Sequence, residues 1–235
     1  MTAVRRRIGD VMAPRRRRGP VVARARVLSG RENISYYVIT AFILVYATTS
    51  AGLSKQTALN AVLIASAVHF AVIPVWGALS DRVGRRPVYL LGAADVGLWM
   101  FPFFSLIDTG SFGNLILAVT VGLVLHGAMY APQAAFFSEM FATRMRYSGA
   151  SIGAQFSSVA AGAPAPLIAT ALLADYDSST PIALYVIGAA VLTLIAVGVA
   201  KETRHRDLAE WEGQDGQEDA EPATTSARAA DARPV

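Results

Sequence analysis

The chain contains no cysteine and few charged residues, and both shortages narrow its possible functions. Without cysteine it has no disulfide framework, thiolate metal site or cysteine nucleophile. Charged residues make up 16% of the sequence, whereas soluble domains carry about a quarter. A chain that is 54% hydrophobic with so little charge is too apolar for a soluble enzyme, a disordered protein or a nucleic-acid-binding protein. We therefore expect no nucleic-acid partner, although the sequence pI is about 9.6.

The charges that are present lie mostly outside the apolar blocks. Ten arginines fall within residues 1–31, and a largely acidic tail rich in alanine and threonine closes the chain. We expect a basic cytoplasmic arm over residues 1–31 and a disordered cytoplasmic tail over residues 204–235. The arginines of the arm suit either binding to anionic lipid headgroups or a purely topogenic role.

Six apolar blocks between these tails are each long enough to cross a membrane. A helix needs about 20 apolar residues to span a hydrocarbon core of about 30 Å, and no block alternates polar and apolar residues as a barrel strand does. The sequence therefore predicts an all-α membrane protein with six transmembrane helices over residues 32–203. The predicted spans are Ile34–Leu53, Thr57–Leu79, Val88–Ile107, Asn114–Ser138, Gly149–Leu173 and Pro181–Ala200.

Lysine and arginine placement predicts the orientation of these spans. Of the 21 basic residues, only Lys55 lies in the first, third or fifth connection. The others lie in the two tails and in the second and fourth connections. Because basic loops stay in the cytoplasm, we expect both termini on the cytoplasmic side of the cell membrane.

The second connection, residues 77–87, reads GALSDRVGRRP and is called the motif loop below. Gly77 would permit close helix contact, Gly84 would supply a turn with unusual backbone angles, and Pro87 would start the next helix. Asp81 is a carboxylate at the membrane edge, placed to accept hydrogen bonds at a helix N-terminus.

The motif loop resembles the signature of the major facilitator superfamily of secondary transporters, G-x-L-(S/A)-D-R-x-G-R-R. Every position of that pattern matches, including Arg82, Arg85 and Arg86. A generic basic loop would explain the arginines but not the two glycines and the aspartate. The resemblance implies a transporter, with no enzymatic activity and no cofactor.

The fourth connection carries Glu139 and Arg146, with the E-x6-R spacing that family members have in the equivalent cytoplasmic loop. In the family these charges pair with the motif loop and latch the cytoplasmic face. The resemblance therefore implies contacts of Arg85 or Arg86 with Glu139, and of Arg146 with Asp81 or a carbonyl. The alternative is that these are independent surface charges, which individually contribute little stability.

Further segments of the sequence narrow the resemblance to the metabolite:proton symporter group. They include NISYY at residues 33–37, FSEMF at 137–141 and RYSG at 146–149. Members of this group carry organic acids or zwitterions, so the resemblance implies proton-coupled transport of a small organic solute. It covers roughly residues 24–206 and corresponds to the C-terminal six-helix half of the family fold.

A half transporter supplies one wall of a substrate path that lies between two halves. We therefore expect that the chain does not catalyse coupled transport alone. It would be a fragment, one part of a split transporter that needs a second six-helix half, or a homodimer. A non-transporting membrane subunit with an assembly or regulatory role is the alternative of a different class.

Ionisable residues inside spans are functional candidates, because a membrane interior makes them costly. Asp95 lies near the middle of the third predicted span, where it could serve coupling or a buried structural role. His126, Tyr130 and Gln133 share one face of the fourth span through their i, i+4, i+7 spacing. The fifth span adds Gln155, which the family places beside the cavity. These five are the candidate substrate or proton pathway residues, whereas His69 fits a packing role better.

No metal-ligand spacing, carboxylate pair or phosphate-binding loop occurs in the spans. A rhomboid-type intramembrane protease is the enzyme alternative, since Gly149-Ala150-Ser151 offers a serine. That mechanism needs a base within reach of the hydroxyl, and the sixth span contains no histidine. The residues therefore favour a transporter, with the lipid bilayer and a small-molecule substrate as its partners.

Overall fold

The computed structural model describes residues 32–139 and 158–199, and all elements below lie within these ranges. Every regular element in them is helical. In chain order we label them α1, residues 32–49; α2, Lys55–Val83; α3, Arg85–Ile107; α4, Phe112–Glu139; α5, Ala165–Tyr176; and α6, Thr180–Val199.

Four of these helices are long and apolar enough to cross a membrane, namely α2, α3, α4 and α6. They correspond to the second, third, fourth and sixth predicted spans, and their ends lie within a few residues of the predicted ends. The first predicted span is shorter and interrupted, because α1 contains a π-helical turn at Val38–Phe42 and ends at Thr49. Only the C-terminal part of the fifth predicted span lies in the described ranges.

The helix ends follow from local sequence. Ser54 caps α2, because its Oγ accepts a hydrogen bond from the Thr57 N–H at 3.0 Å. Gly84 ends α2 at φ 120°, a backbone conformation that glycine adopts without steric cost. Before α5 a second π-helical turn, Ser158–Gly162, is followed by a break at Pro164. Proline cannot donate the next helical hydrogen bond, so the chain restarts as α5.

α4 lies at the centre of the bundle. It packs against α2 on one side and α3 on the other, while α3 also packs against α6. α1 contacts α2, α4 and α5, and α5 contacts α6. At the end of α1 away from the motif loop, the Tyr46 hydroxyl donates to Asp108 Oδ1 at 2.6 Å, which joins α1 to the end of α3.

Small residues allow α3 and α4 to approach closely. A Cβ added at Gly92 of α3 would lie 2.8 Å from the Ala128 Cβ and 2.9 Å from the Met129 backbone nitrogen of α4. Neither atom belongs to a flexible side-chain end that could move aside. The glycine therefore sets the distance between the two helices, as small residues do in membrane bundles.

We expect Gly92→Ala to destabilise the bundle by about 1–3 kcal/mol, because overpacking a tight contact forces backbone shifts. The measurement is the apparent thermal unfolding temperature of the full chain in detergent. Gly188→Ala is the matched control, since a Cβ there meets nothing within 4 Å. Equal unfolding temperatures for the two variants would show that the crossing is not tight.

Candidate functional site

Five polar or aromatic side chains from three helices meet within the bundle, and we call this group the polar cluster. α1 contributes Glu32 and Tyr36, α2 contributes His69, and α4 contributes His126 and Tyr130. His69 and His126 each lie near the middle of a membrane-length helix. The cluster is therefore well inside the apolar part of the bundle.

The most deeply buried members are Glu32 and His126, which form an ion-pair contact. Glu32 Oε1 lies 3.3 Å from His126 Nε2, and the side chains are 3% and 1% exposed. The contact lacks the alignment of a hydrogen bond, and Glu32 Oε2 and His126 Nδ1 also have no hydrogen-bond partner among the described residues. Among the described residues, this buried acid and this buried base are each other's ionic partner.

Three rings surround this pair. Tyr36 packs on His126 with ring centroids 5.4 Å apart, and His69 meets His126 edge to face at 5.7 Å. Tyr130 stacks on His126 at 6.2 Å and contacts His69 at 6.1 Å. Because Tyr130 is 50% exposed, the ring contacts lead from the buried pair to the surface of the bundle.

A glycine and a tryptophan hold α2 and α4 together beside the cluster. A Cβ at Gly127 would lie 3.0 Å from Trp76 Cδ1 and 3.4 Å from His69 Cδ2. The Trp76 indole also donates to the Val124 carbonyl at 2.8 Å. His69 therefore packs against α4, as the sequence favoured, although its Nε2 has no hydrogen-bond partner among the described residues.

The predicted pathway residues separate in the structure. His126 and Tyr130 join the polar cluster, and Gln133 is half-buried on the same helix. Asp95 is half-buried on α3 and makes no hydrogen bond or ion pair with any described residue. Gln155 lies outside the described residues. The structure thus places two of the five, His126 and Tyr130, together. A role of these side chains in transport stays a prediction.

Sequence reasoning did not single out Glu32 or Tyr36 as members of a site. Glu32 is the first residue of the predicted membrane half and precedes the first predicted span, which begins at Ile34. The ring of Tyr36 packs on His126. One signal was present, because Glu32 is the only acidic residue between Asp10 and Asp81 and lies two residues before an apolar block.

The motif loop is a tight turn between α2 and α3, as predicted. Gly84 has the expected unusual backbone angles, φ 120° and ψ 148°, and α3 begins at Arg85, two residues before Pro87. A Cβ at Gly77 meets no described atom within 4 Å. The close helix contact expected there stays a prediction.

The contacts of the motif-loop charges include two local ones between described residues. Arg85 Nη2 lies 3.6 Å from Asp81 Oδ1, one helical turn away, and both groups are near the surface. Arg86 donates to the Gly198 carbonyl, which ties the start of α3 to the end of α6. An arginine on the last carbonyls of a helix also complements the helix dipole.

The remaining parts of the expected latch fall outside what the structure describes. These are Arg146 and the side chain of Glu139, so their pairing with the motif loop stays a prediction. The hydrogen bonds expected for Asp81 at a helix N-terminus are not seen. Its one described ionic partner is Arg85.

Comparison with known proteins identifies the family. A sequence profile of the Major Facilitator Superfamily matches residues 33–230. The chain belongs to the major facilitator superfamily. It is a multi-pass membrane protein of a transporter family and not an enzyme, as the motif loop predicted.

Three superfamily relatives are similar over the same part of the chain. The shikimate transporter of Escherichia coli is 31% identical over 175 residues, which is 74% of this chain and 40% of the relative. The proline/betaine transporter of Escherichia coli is 30% identical over 179 residues, covering 75% and 35%. The ectoine/proline transporter of Corynebacterium glutamicum is 28% identical over 176 residues, covering 75% and 35%. The chain spans about two fifths of the length of these relatives.

The turn at Gly84 yields a testable expectation. Gly84→Ala places a side chain at φ 120°, which costs about 1–3 kcal/mol in backbone strain. We expect the apparent unfolding temperature of the full chain in detergent to fall. Gly77→Ala is the control, because the same added methyl group meets open space. A Gly84→Ala variant as stable as Gly77→Ala would mean that the turn adapts without strain.

Proposed function

We propose that the chain is one six-helix half of a proton-coupled transporter of small organic solutes. The observation that carries this proposal is the polar cluster inside an otherwise apolar bundle of a transporter family. Buried ionisable side chains are costly in a membrane, so a bundle that needed only to fold would have an apolar group at Glu32 or His126. A pathway for protons and polar solutes requires such groups.

The proposed substrate is an organic acid or a zwitterion. The relatives carry names of both kinds, a shikimate transporter and proline/betaine or ectoine/proline transporters. In the described helices, lysine and arginine occur only near helix ends, at Lys55, Arg82, Arg85 and Arg86. A cationic partner for a substrate carboxylate would therefore come from a second half.

A second half would also cover the surface that the bundle leaves open. Tyr130 is half exposed, Gln133 is partly exposed, and a Cβ at Gly77 would meet no described atom within 4 Å. Polar groups left against lipid lack partners, which favours association. The second half would be another part of a longer protein, a separate chain, or a second copy of this chain.

The proposed domain organisation follows the helices. Residues 32–203 form the membrane half-bundle, residues 1–31 the basic arm and residues 204–235 the tail. Both tails, the motif loop and the loop after α4 face the cytoplasm of the cell membrane. The support for this orientation is the concentration of basic residues in these segments.

We expect the full chain reconstituted alone in liposomes to show no saturable uptake driven by a proton gradient. Co-reconstitution with the N-terminal half of a superfamily relative should restore uptake of a labelled acid or betaine from a panel of both. The relative's half alone and protein-free liposomes are the controls. Uptake by the chain alone would contradict the two-half arrangement while supporting transport. No uptake in any combination would favour the alternative of a non-transporting subunit.

Asp81 offers a test of the latch. In a complete transporter, Asp81→Asn removes the charge facing Arg85 and should loosen the cytoplasmic closure. A single cysteine placed at Ala131, next to Tyr130, should then react faster with a membrane-impermeant thiol reagent applied from the cytoplasmic side. The chain has no other cysteine to react.

Asp175→Asn is the matched control, since Asp175 is an exposed carboxylate at the end of α5. An unchanged labelling rate in Asp81→Asn would show that the motif loop serves only topology. Labelling solely from the external side would contradict the proposed orientation.

A further inference from the structure

The carboxylate of Glu32 is buried and needs either a positive partner or a proton. Its side chain is 3% exposed and its carboxylate oxygen Oε2 has no hydrogen-bond partner among the described residues. An isolated carboxylate in a low-dielectric interior is strongly unfavourable, so such a group is paired or takes up a proton. Among the described residues, the basic group in ion-pair contact with it is His126.

Among the described residues, no lysine or arginine contacts the pair. The ionisable groups that face it there are Tyr36 from α1, His69 from α2 and Tyr130 from α4. Tyr89 of α3 lies within electrostatic range of Glu32, and Tyr185 of α6 packs against the cluster of Ile34, Ala165 and Ala189. Each of these groups is neutral or titratable.

We propose that Glu32 and His126 form a single proton-binding site that holds one shared proton. With one proton the pair is neutral overall, either as carboxylate and imidazolium or as carboxylic acid and imidazole. Removing that proton leaves a net charge of −1, and adding a second leaves +1. Both charged states are costly in the membrane interior, so the neutral state with one proton is favoured.

Tyr130 is the member of the polar cluster that reaches the surface of the bundle. Its ring contacts both His126 and His69, and the residue is half exposed. His69 Nε2 and His126 Nδ1 are buried without hydrogen-bond partners among the described residues. The pair is therefore buried, and Tyr130 lies between it and the surface.

This inference rests on the proposed function only for the role of the proton as coupling ion. The site itself can be measured on the full chain without transport. Histidine labelled with ¹⁵N in lipid nanodiscs distinguishes imidazolium from neutral imidazole by NMR. Infrared spectroscopy of the same samples detects the carbonyl band of a protonated carboxylic acid.

At neutral pH we expect one of two signals, either an imidazolium at His126 or an acid carbonyl band from Glu32. Glu32→Gln should abolish whichever signal is present, Glu32→Asp should retain it, and Asp175→Asn should leave it unchanged. His126→Asn and His69→Asn assign the histidine resonances. If Glu32→Gln does not fold, as judged by circular dichroism, His126→Asn takes its place. The proton then has only Glu32 to occupy, and the acid band should strengthen.

The proposal is overturned by a neutral His126 together with no acid carbonyl band, or by an imidazolium signal that survives Glu32→Gln. In the His126→Asn variant, an acid carbonyl band that does not strengthen would also overturn the proposal. If the pair holds a proton but the assembled transporter shows no proton-driven uptake, the proton-binding site stands and the proposed coupling is refuted. Proton-driven uptake without a proton on the pair would refute this site alone.

Discussion

Hydrocarbon solvates neither charge nor open backbone, and this constraint decides where each kind of side chain lies in the bundle. α2 turns large apolar side chains outward, with Leu63 70% and Phe70 79% exposed. In water such a face would be unstable, whereas against lipid it costs nothing. The polar side chains at the same depth are instead gathered where α1, α2 and α4 meet. The polar cluster is thus a product of the same constraint that makes the surface apolar.

Close helix contact seals this cluster. Gly92 brings α3 against α4, and Gly127 brings α4 against Trp76 and His69 of α2. The hydrogen bond from Trp76 to the Val124 carbonyl fixes the same contact. Because these glycines leave no space for lipid or side chains between the helices, the Glu32–His126 pair is almost completely buried. The packing of small residues therefore determines the electrostatics of the site.

The sequence allowed most of the helices to be predicted, because a membrane helix needs a long apolar block and little else. The turn at Gly84 and the shared face of His126 and Tyr130 could also be predicted, because both follow from local geometry. Glu32 could not be placed, because its burial comes from α4, which is distant in sequence. The packing expected at Gly77 stays a prediction for the converse reason, since a glycine permits a contact but does not supply the partner.

Two helices of the polar cluster, α2 and α4, each contain a proline between their cluster residues and the C-terminal end of the helix. In α2, Pro74 lies between His69 and Asp81, and in α4, Pro132 follows Tyr130 and precedes the C-terminal end of the helix. A proline inside a helix removes one backbone hydrogen bond and places a bend there.

The prolines separate the ends of α2 and α4 from the segments that pack around His69 and His126. At the start of α3, Arg86 holds the motif loop against the Gly198 carbonyl of α6. The motif loop is thereby connected to α2, α3 and α6, and Tyr89 of α3 lies within electrostatic range of Glu32. Alternating access around a fixed site requires helix ends that move about a packed centre, and the positions of these prolines suit that requirement.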